Sequence, residues 1–136
     1  MKDPRRVLIV EDDEDDLFLT QRELRKFVST PVVHVGDGQQ AIEYLAGVGR
    51  YVDRTTFPFP DVMFLDLKMN HVTGLDVLHW VGDNLPPSAL RIFVLTGSNE
   101  PRDRELVRIS GAAAGYIVKP LTSAHLAGIF GGGPPP

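Results

Sequence analysis

Residues 62–66 read Val-Met-Phe-Leu-Asp, four uninterrupted apolar residues followed by an acid. A short apolar run of this kind is typical of a strand buried on both faces, as in a parallel sheet covered by helices on both sides. An aspartate directly after such a strand lies at its carboxyl end, the edge where open α/β sheets bind ligands. The segment therefore predicts an α/β protein and places the Asp66 carboxylate at its functional edge.

Four similar apolar runs and five stretches of helical periodicity extend this pattern along the chain. The other strands are predicted at 7–10, 32–35, 92–95 and 116–118. Apolar spacing predicts helices within 14–28, 41–45, 75–81 and 101–110. Ser123 is the predicted N-cap of a last, short helix. Five alternating strand–helix units predict right-handed crossovers and a doubly wound parallel sheet.

Two segments fall outside this alternation. Residues 47–60 form a longer loop with three aromatic rings, and the sequence alone leaves open whether these fill the core or form an exposed contact. The rings are those of Tyr51, Phe57 and Phe59. The final Gly-Gly-Gly-Pro-Pro-Pro cannot continue a helix. We therefore expect one domain over residues 1–130 and a disordered tail over residues 131–136.

Composition and charge exclude several kinds of protein. The 136-residue chain has no cysteine, which excludes disulfides and thiolate metal sites and fits a reducing cytoplasm. It has no apolar run of transmembrane length, so we expect no membrane partner. The net charge of −4 argues against a nucleic-acid surface, since phosphate contacts need clustered Lys and Arg. Two charged segments predict solvated surfaces: the acids of 13–16 at a helix start, and 101–110, where arginines alternate with Asp103 and Glu105.

Polar side chains follow four of the five predicted strands. Glu11 and Asp12 follow the first strand, Asp66 and Lys68 the third, Thr96 the fourth and Lys119 the fifth. The carboxyl ends of parallel strands meet at one sheet edge, so we expect these groups to converge there. Crowded carboxylates repel one another unless a cation joins them, and a hard ion such as Mg²⁺ prefers oxygen ligands. Such a site can accept a phosphoryl group on one carboxylate, with metal, ammonium and hydroxyl absorbing its charge.

From residue 5 to about residue 130 the chain resembles the receiver domain of bacterial response regulators. The matching pieces are VLIVED (7–12), VMFLDLKM (62–69), Gly74, VLTG (94–97) and GYIVKP (115–120). Each piece alone is weak, but the five occur in the family's order and spacing, apart from the longer loop before the third strand. The resemblance implies a flavodoxin-like fold: a doubly wound, five-stranded parallel sheet of order 2-1-3-4-5 with helices on both faces.

The resemblance also implies a metal site and a phosphorylation site. Asp66 would be the phosphoacceptor, forming a 4-aspartylphosphate, and also a ligand of Mg²⁺. Asp12 would be a direct ligand of the metal, and Glu11 would act mostly through water. Lys68 would contribute its backbone carbonyl to the same ion.

Four further residues match family positions that respond to the phosphoryl group. Thr96 would donate a hydrogen bond to a phosphoryl oxygen, and Lys119 would pair with the phosphoryl group. Tyr116 would be the aromatic switch, which swings inward when Thr96 moves. Pro120 matches the family's proline, where a cis Lys–Pro bond aims the lysine.

The chain departs from the family pattern in the phosphoacceptor loop and in loop 47–60. Asn70 stands where the family has proline after Met69, which should soften the loop without removing a site group. Lys68 places a cation two residues after the phosphoacceptor, so we expect a phosphoryl lifetime unlike that of regulators with asparagine there. The length of loop 47–60 resembles that of stand-alone regulators partnered with phytochrome-type sensor kinases.

The function implied is a single-domain phosphorylation switch in the cytoplasm, not an enzyme acting on other molecules. The implied partner is a sensor histidine kinase or a histidine phosphotransfer protein, with output through protein contacts or a homodimer. A phosphatase of the haloacid dehalogenase type is a weaker alternative, because it needs a second aspartate where this chain has Lys68. The other alternative is a degenerate receiver that binds proteins independently of phosphorylation, against which the intact set of acids, hydroxyl and lysine argues.

Overall fold

In the computed structural model, residues 2–131 are described, and five parallel strands form one sheet. The strands are β1 (Val7–Val10), β2 (Val33–Val35), β3 (Val62–Leu65), β4 (Arg91–Thr96) and β5 (Gly115–Val118). The helices are α1 (Glu14–Leu24), α2 (Gly38–Ala46), α3 (Gly74–Asn84), α4 (Pro101–Ser110) and α5 (Ser123–Phe130), with a 3-10 turn at Gly49–Tyr51. The strand order is β2-β1-β3-β4-β5, which confirms the predicted doubly wound topology.

The apolar runs predicted as strands lie between two layers of helices. Every residue of β1 and β3 is buried, as expected for central strands covered on both faces. Side chains such as Leu8 and Met63 pack with α2 and α3 on one face, and Ile9 and Phe64 pack with α1 and α5 on the other. Among residues 2–131, no helix is both long enough and apolar enough to cross a bilayer.

The aromatic residues of loop 47–60 pack into or against the core. Tyr51 is buried, and its ring centroid lies 5.0 Å from that of Tyr44 on α2 and 5.1 Å from that of Phe57. The Arg54 guanidinium donates hydrogen bonds to the carbonyls of Tyr44 and Leu45, at 2.8 and 2.9 Å. These carbonyls belong to the last turn of α2, where the regular helical amide donors run out. Loop 47–60 is therefore held against the C-terminal end of α2.

Three helix details differ from the sequence-based expectations. Helix α1 ends at Leu24. Residues 27–29 pair instead with the segment before β1, where the amide of residue 3 donates to the Phe27 carbonyl. Phe18, one of the residues whose apolar spacing predicts that helix, is 59% exposed. Thr122, and not Ser123, caps α5 and accepts a hydrogen bond from the His125 amide. The predicted tail beyond residue 131 lies outside the described residues.

Candidate functional site

The carboxyl edge of the sheet brings together the polar groups that follow four strands. The Asp66 amide donates to the Val10 carbonyl at 3.0 Å, and the Glu11 amide donates to the Val35 carbonyl at 3.2 Å. These bonds continue the parallel ladders one residue beyond β3 and β1, and so fix the two acids at neighbouring strand ends. Glu11, Asp66 and Thr96 are all buried, and Asp12 is exposed.

Lys119 holds the acids of this edge together. Its ammonium lies 2.7 Å from Glu11 Oε1, 2.7 Å from Asp16 Oδ2 and 3.3 Å from Asp66 Oδ2. Burial lowers the pKa of Lys119, but the carboxylates of Asp16 and Glu11 outweigh this and raise the pKa above its ordinary value. The peptide bond between Lys119 and Pro120 is cis, as the resemblance implied. Asp16, expected among the solvated acids of 13–16, is 38% exposed but also turns from α1 to reach this lysine.

Three of the acids also form a cluster that suits a hard cation. One carboxylate oxygen from each of Glu11, Asp12 and Asp66 lies within 4.8 Å of the others. Burial and the neighbouring Asp66 raise the pKa of Glu11 to about 7, although Lys119 opposes the shift. The Lys119 ammonium contacts three carboxylates, and Asp12 adds a fourth to the same edge. The residual negative charge and the all-oxygen donor set fit a divalent ion such as Mg²⁺.

The hydroxyl predicted at the end of β4 faces an open depression beside Asp66. Thr96 is fully buried, and its Oγ1 accepts a hydrogen bond from the Ser98 amide at 3.3 Å. The amide of Lys119 donates to the Thr96 carbonyl at 2.8 Å, which fixes the end of β4 against the end of β5. The depression has a volume of about 430 Å³ and is lined by Asp66, Lys68, Thr96, Lys119 and residues 97–100.

Lys68 points toward α4. Its amide donates to Asp66 Oδ1 at 3.1 Å, and its ammonium lies 3.1 Å from Asp103 Oδ2. Ser98 Oγ donates to the same Asp103 oxygen at 2.6 Å. The expectation that Asp103 belongs to a solvated helix face was wrong: Asp103 is buried, while the arginines beside it are exposed. The spacing of charges along α4 did not indicate that Asp103 is buried, because its partners Lys68 and Ser98 come from two other segments.

Tyr116 connects the site to the surface of α4. Its hydroxyl donates to the Ser98 carbonyl at 2.8 Å, and its ring is half-buried. The Arg104 guanidinium lies over that ring, 4.6 Å from the centroid. The aromatic residue therefore contacts both the loop after Thr96 and an exposed helix.

A glycine without room for a side chain positions the loop after Asp66. Gly74 begins α3, and a Cβ built there would clash with the Asp66 carbonyl oxygen and lie 2.8 Å from the Leu67 Cα. Both atoms are backbone, so neither can rotate away. The close approach also lets the Gly74 amide donate to the Leu67 carbonyl at 3.2 Å.

Replacing Gly74 with alanine should therefore destabilise the protein by about 1–3 kcal/mol, the usual cost of overpacking. Urea unfolding would measure the loss, because a less stable variant unfolds at a lower midpoint urea concentration while the slope of the free energy against urea concentration stays the same. Gly82→Ala is the matched control on the same helix, because a Cβ there meets nothing within 4 Å. The control should stabilise by about 0.5–1 kcal/mol through helix propensity. Equal effects of the two substitutions would contradict the close packing at Gly74.

Comparison with known proteins places this geometry in a family. The chain matches the model of the response regulator receiver domain over residues 7–130. It is 30% identical over 124 residues to the polar-differentiation response regulator DivK of Brucella anthropi, covering 88% of this chain and 87% of DivK. The solved bacteriophytochrome response regulator RtBRR is 35% identical, with a TM-score of 0.78 over 92% of this chain and 75% of that chain. The phosphorylated cyanobacterial phytochrome response regulator RcpA is 28% identical, with a TM-score of 0.77 over 95% of this chain and 90% of that chain.

The family match spans all five strands and all five helices. It includes each strand end from which the clustered acids, the buried threonine and the lysine project. The chain belongs to the response regulator receiver domain family.

Proposed function

We propose that this protein is a single-domain response regulator that takes a phosphoryl group onto Asp66 and thereby switches a protein-binding surface. The observation that carries the proposal is the position of the Asp66 carboxylate. It belongs to the acid cluster with Glu11 and Asp12 and lies 3.3 Å from the Lys119 ammonium. An open depression lies beside it. A carboxylate so placed can act as a nucleophile while neighbouring cations stabilise the charge of an incoming phosphoryl group.

Mg²⁺ would be held by Asp12 and Asp66 directly, by Glu11 through water, and by the Lys68 backbone carbonyl. When bound, the ion would neutralise charge on the phosphoryl oxygens and on the acid cluster. The three clustered carboxylates support this assignment. A cation held there would also offset the burial and the Asp66 charge that raise the pKa of Glu11.

Phosphoryl transfer would come from a phosphohistidine of a sensor kinase or of a histidine phosphotransfer protein. One Asp66 Oδ attacks phosphorus, an O–P bond forms and the N–P bond breaks. The leaving imidazole nitrogen keeps the electron pair and takes a proton from solvent. Lys119 then pairs with the phosphoryl group, and the Thr96 hydroxyl donates to one of its oxygens.

The switch would follow from the contacts of the loop after β4. Movement of Thr96 toward the phosphoryl group shifts the Ser98 backbone, whose carbonyl accepts from the Tyr116 hydroxyl. Tyr116 would respond as the aromatic switch and alter the face formed by α4 and β5, which carries Arg104. Such a change biases an equilibrium between two surface states, and a protein partner or a second copy would read it.

Similarity to two solved proteins supports this function. RcpA is described as phosphorylated, and RtBRR as a bacteriophytochrome response regulator. Their likeness to this chain supports a phosphorylated state and a sensor kinase of the phytochrome class as the donor. A cytoplasmic location is part of the same proposal, because such a kinase module would have to reach Asp66.

The proposal is tested by incubating the purified protein with acetyl phosphate and measuring its intact mass. We expect a mass gain of one phosphoryl group with Mg²⁺ and none with a chelator. Peptide mapping should place the group on Asp66. Absence of an adduct with acetyl phosphate and with candidate kinases would overturn the proposal and favour a phosphorylation-independent binding module. Repeated turnover of phosphomonoesters would instead favour a phosphatase.

A further inference from the structure

The side chain of Lys68 has a defined partner away from the phosphoacceptor. Its ammonium is 3.1 Å from Asp103 Oδ2, although Lys68 is 60% exposed and only two residues from Asp66. The Asp103 side chain is 9% exposed and is fixed by the Ser98 hydroxyl at 2.6 Å. A buried, already oriented carboxylate thus attracts a lysine that would otherwise sample the solvent.

Fold stability does not account for this pair. Ion pairs with one exposed partner contribute little to stability, because water and salt screen them and the lysine loses conformational freedom. The consequence of the pair is therefore mainly the position of one positive charge. Lys68 and Ser98 both line the depression beside Asp66, so the pair decides whether that charge lies on the α4 side or over the acceptor.

We propose that Asp103 is a positioning residue that holds the Lys68 ammonium on the α4 side and so sets the lifetime of the phosphoryl group on Asp66. This inference rests on the proposed function. After phosphorylation Lys68 divides its time between Asp103 and the phosphoryl oxygens. While it is bound to Asp103, the depression is open to water.

The step affected is hydrolysis of the acyl phosphate. A water oxygen attacks phosphorus, the bond from phosphorus to Asp66 Oδ breaks, and the carboxylate leaves with the electron pair. The water loses a proton to solvent, and inorganic phosphate departs. A lysine that contacts the phosphoryl oxygens covers the approach of this water, so weakening the hold of Asp103 slows hydrolysis.

A double-mutant cycle tests the coupling between the two side chains. Asp103→Asn should lengthen the phosphoryl lifetime about fivefold, a change of the size measured for one ion pair with an exposed partner. Lys68→Asn should shorten the lifetime, and the double variant should match Lys68→Asn. Glu105→Gln is the control on the same helix, since Glu105 pairs with Arg108 and should leave the lifetime unchanged.

A second measurement does not depend on phosphorylation. In metal-free protein, NMR relaxation of the Lys68 side-chain methylenes should show more motion in Asp103→Asn than in wild type or in Glu105→Gln. Unchanged Lys68 motion would overturn the inference, as would an Asp103→Asn effect on lifetime that persists when Lys68 is asparagine. Failure of the proposed function gives a different result, namely no adduct in any variant.

Discussion

Asp66→Asn should abolish the Mg²⁺-dependent mass gain from acetyl phosphate. The amide that replaces the carboxylate is a poor nucleophile and carries no charge for a metal. Of the three clustered acids, Asp66 is the one that lines the open depression, where an incoming phosphoryl group has room, so Glu11 and Asp12 should not substitute for it. Intact mass after incubation with acetyl phosphate is the direct measurement.

Asp83→Asn is the matched control for this substitution. Asp83 is an exposed aspartate on α3, so its loss should leave the adduct unchanged in amount and lifetime. A full adduct on Asp66→Asn would show that another side chain is the acceptor. A partial adduct would show that acetyl phosphate also phosphorylates a second side chain.

The Asp66→Asn variant should also change how stability depends on pH. Burial and the Asp66 charge hold the pKa of Glu11 at about 7, above its ordinary value of 4.5. Between these two values folded protein binds more protons than unfolded protein, so stability falls as pH rises through that window. Removing the Asp66 charge lowers the pKa of Glu11 and should flatten the decline. Urea unfolding between pH 5 and 8, in buffer that contains a chelator, measures this decline in stability.

The fold and most of the site could be predicted because their signals are local. Four of the five strands carry an apolar run that a polar residue follows, as with Val62–Leu65 before Asp66. A parallel sheet places all such ends at one edge, so Glu11, Thr96 and Lys119 could be assigned to a common site without coordinates. The structure adds the distances between them.

The contacts that were missed depend on pairs far apart in the chain. Asp16 and Lys119 are separated by 103 residues, and nothing in the acidic block distinguishes the acid that faces inward from those in solvent. Asp103 likewise finds Lys68 and Ser98 only because α4 packs beside two strand ends. The rings of loop 47–60 were ambiguous because burial there depends on Arg54 binding the end of α2. A single sequence records which residues are charged, but it does not record which of them meet.

Lys119→Met should lower the free energy of unfolding of the metal-free protein by about 3 kcal/mol near pH 8, the cost of leaving a buried carboxylate without its partner. Lys119 is 17% exposed and contacts Glu11, Asp16 and Asp66 at once, and the side chain of Glu11 is 2% exposed. Methionine keeps the apolar stem and removes only the charge. Lys2→Met is the control, because Lys2 is exposed, and its loss should change stability by at most about 0.5 kcal/mol.

The Lys119→Met loss should be smaller at acidic pH, because Glu11 can take up a proton. Lys119 lowers the pKa of Glu11, so its removal moves that pKa above about 7 and extends the fall in stability to higher pH. Stability should therefore decline more steeply from pH 6 to 8 than in wild type, opposite to Asp66→Asn. Added Mg²⁺ should recover more stability in Lys119→Met, since the unpaired acids bind a cation more tightly. A uniform loss across pH, insensitive to Mg²⁺, would mean that Lys119 stabilises the site by packing and not by its charge.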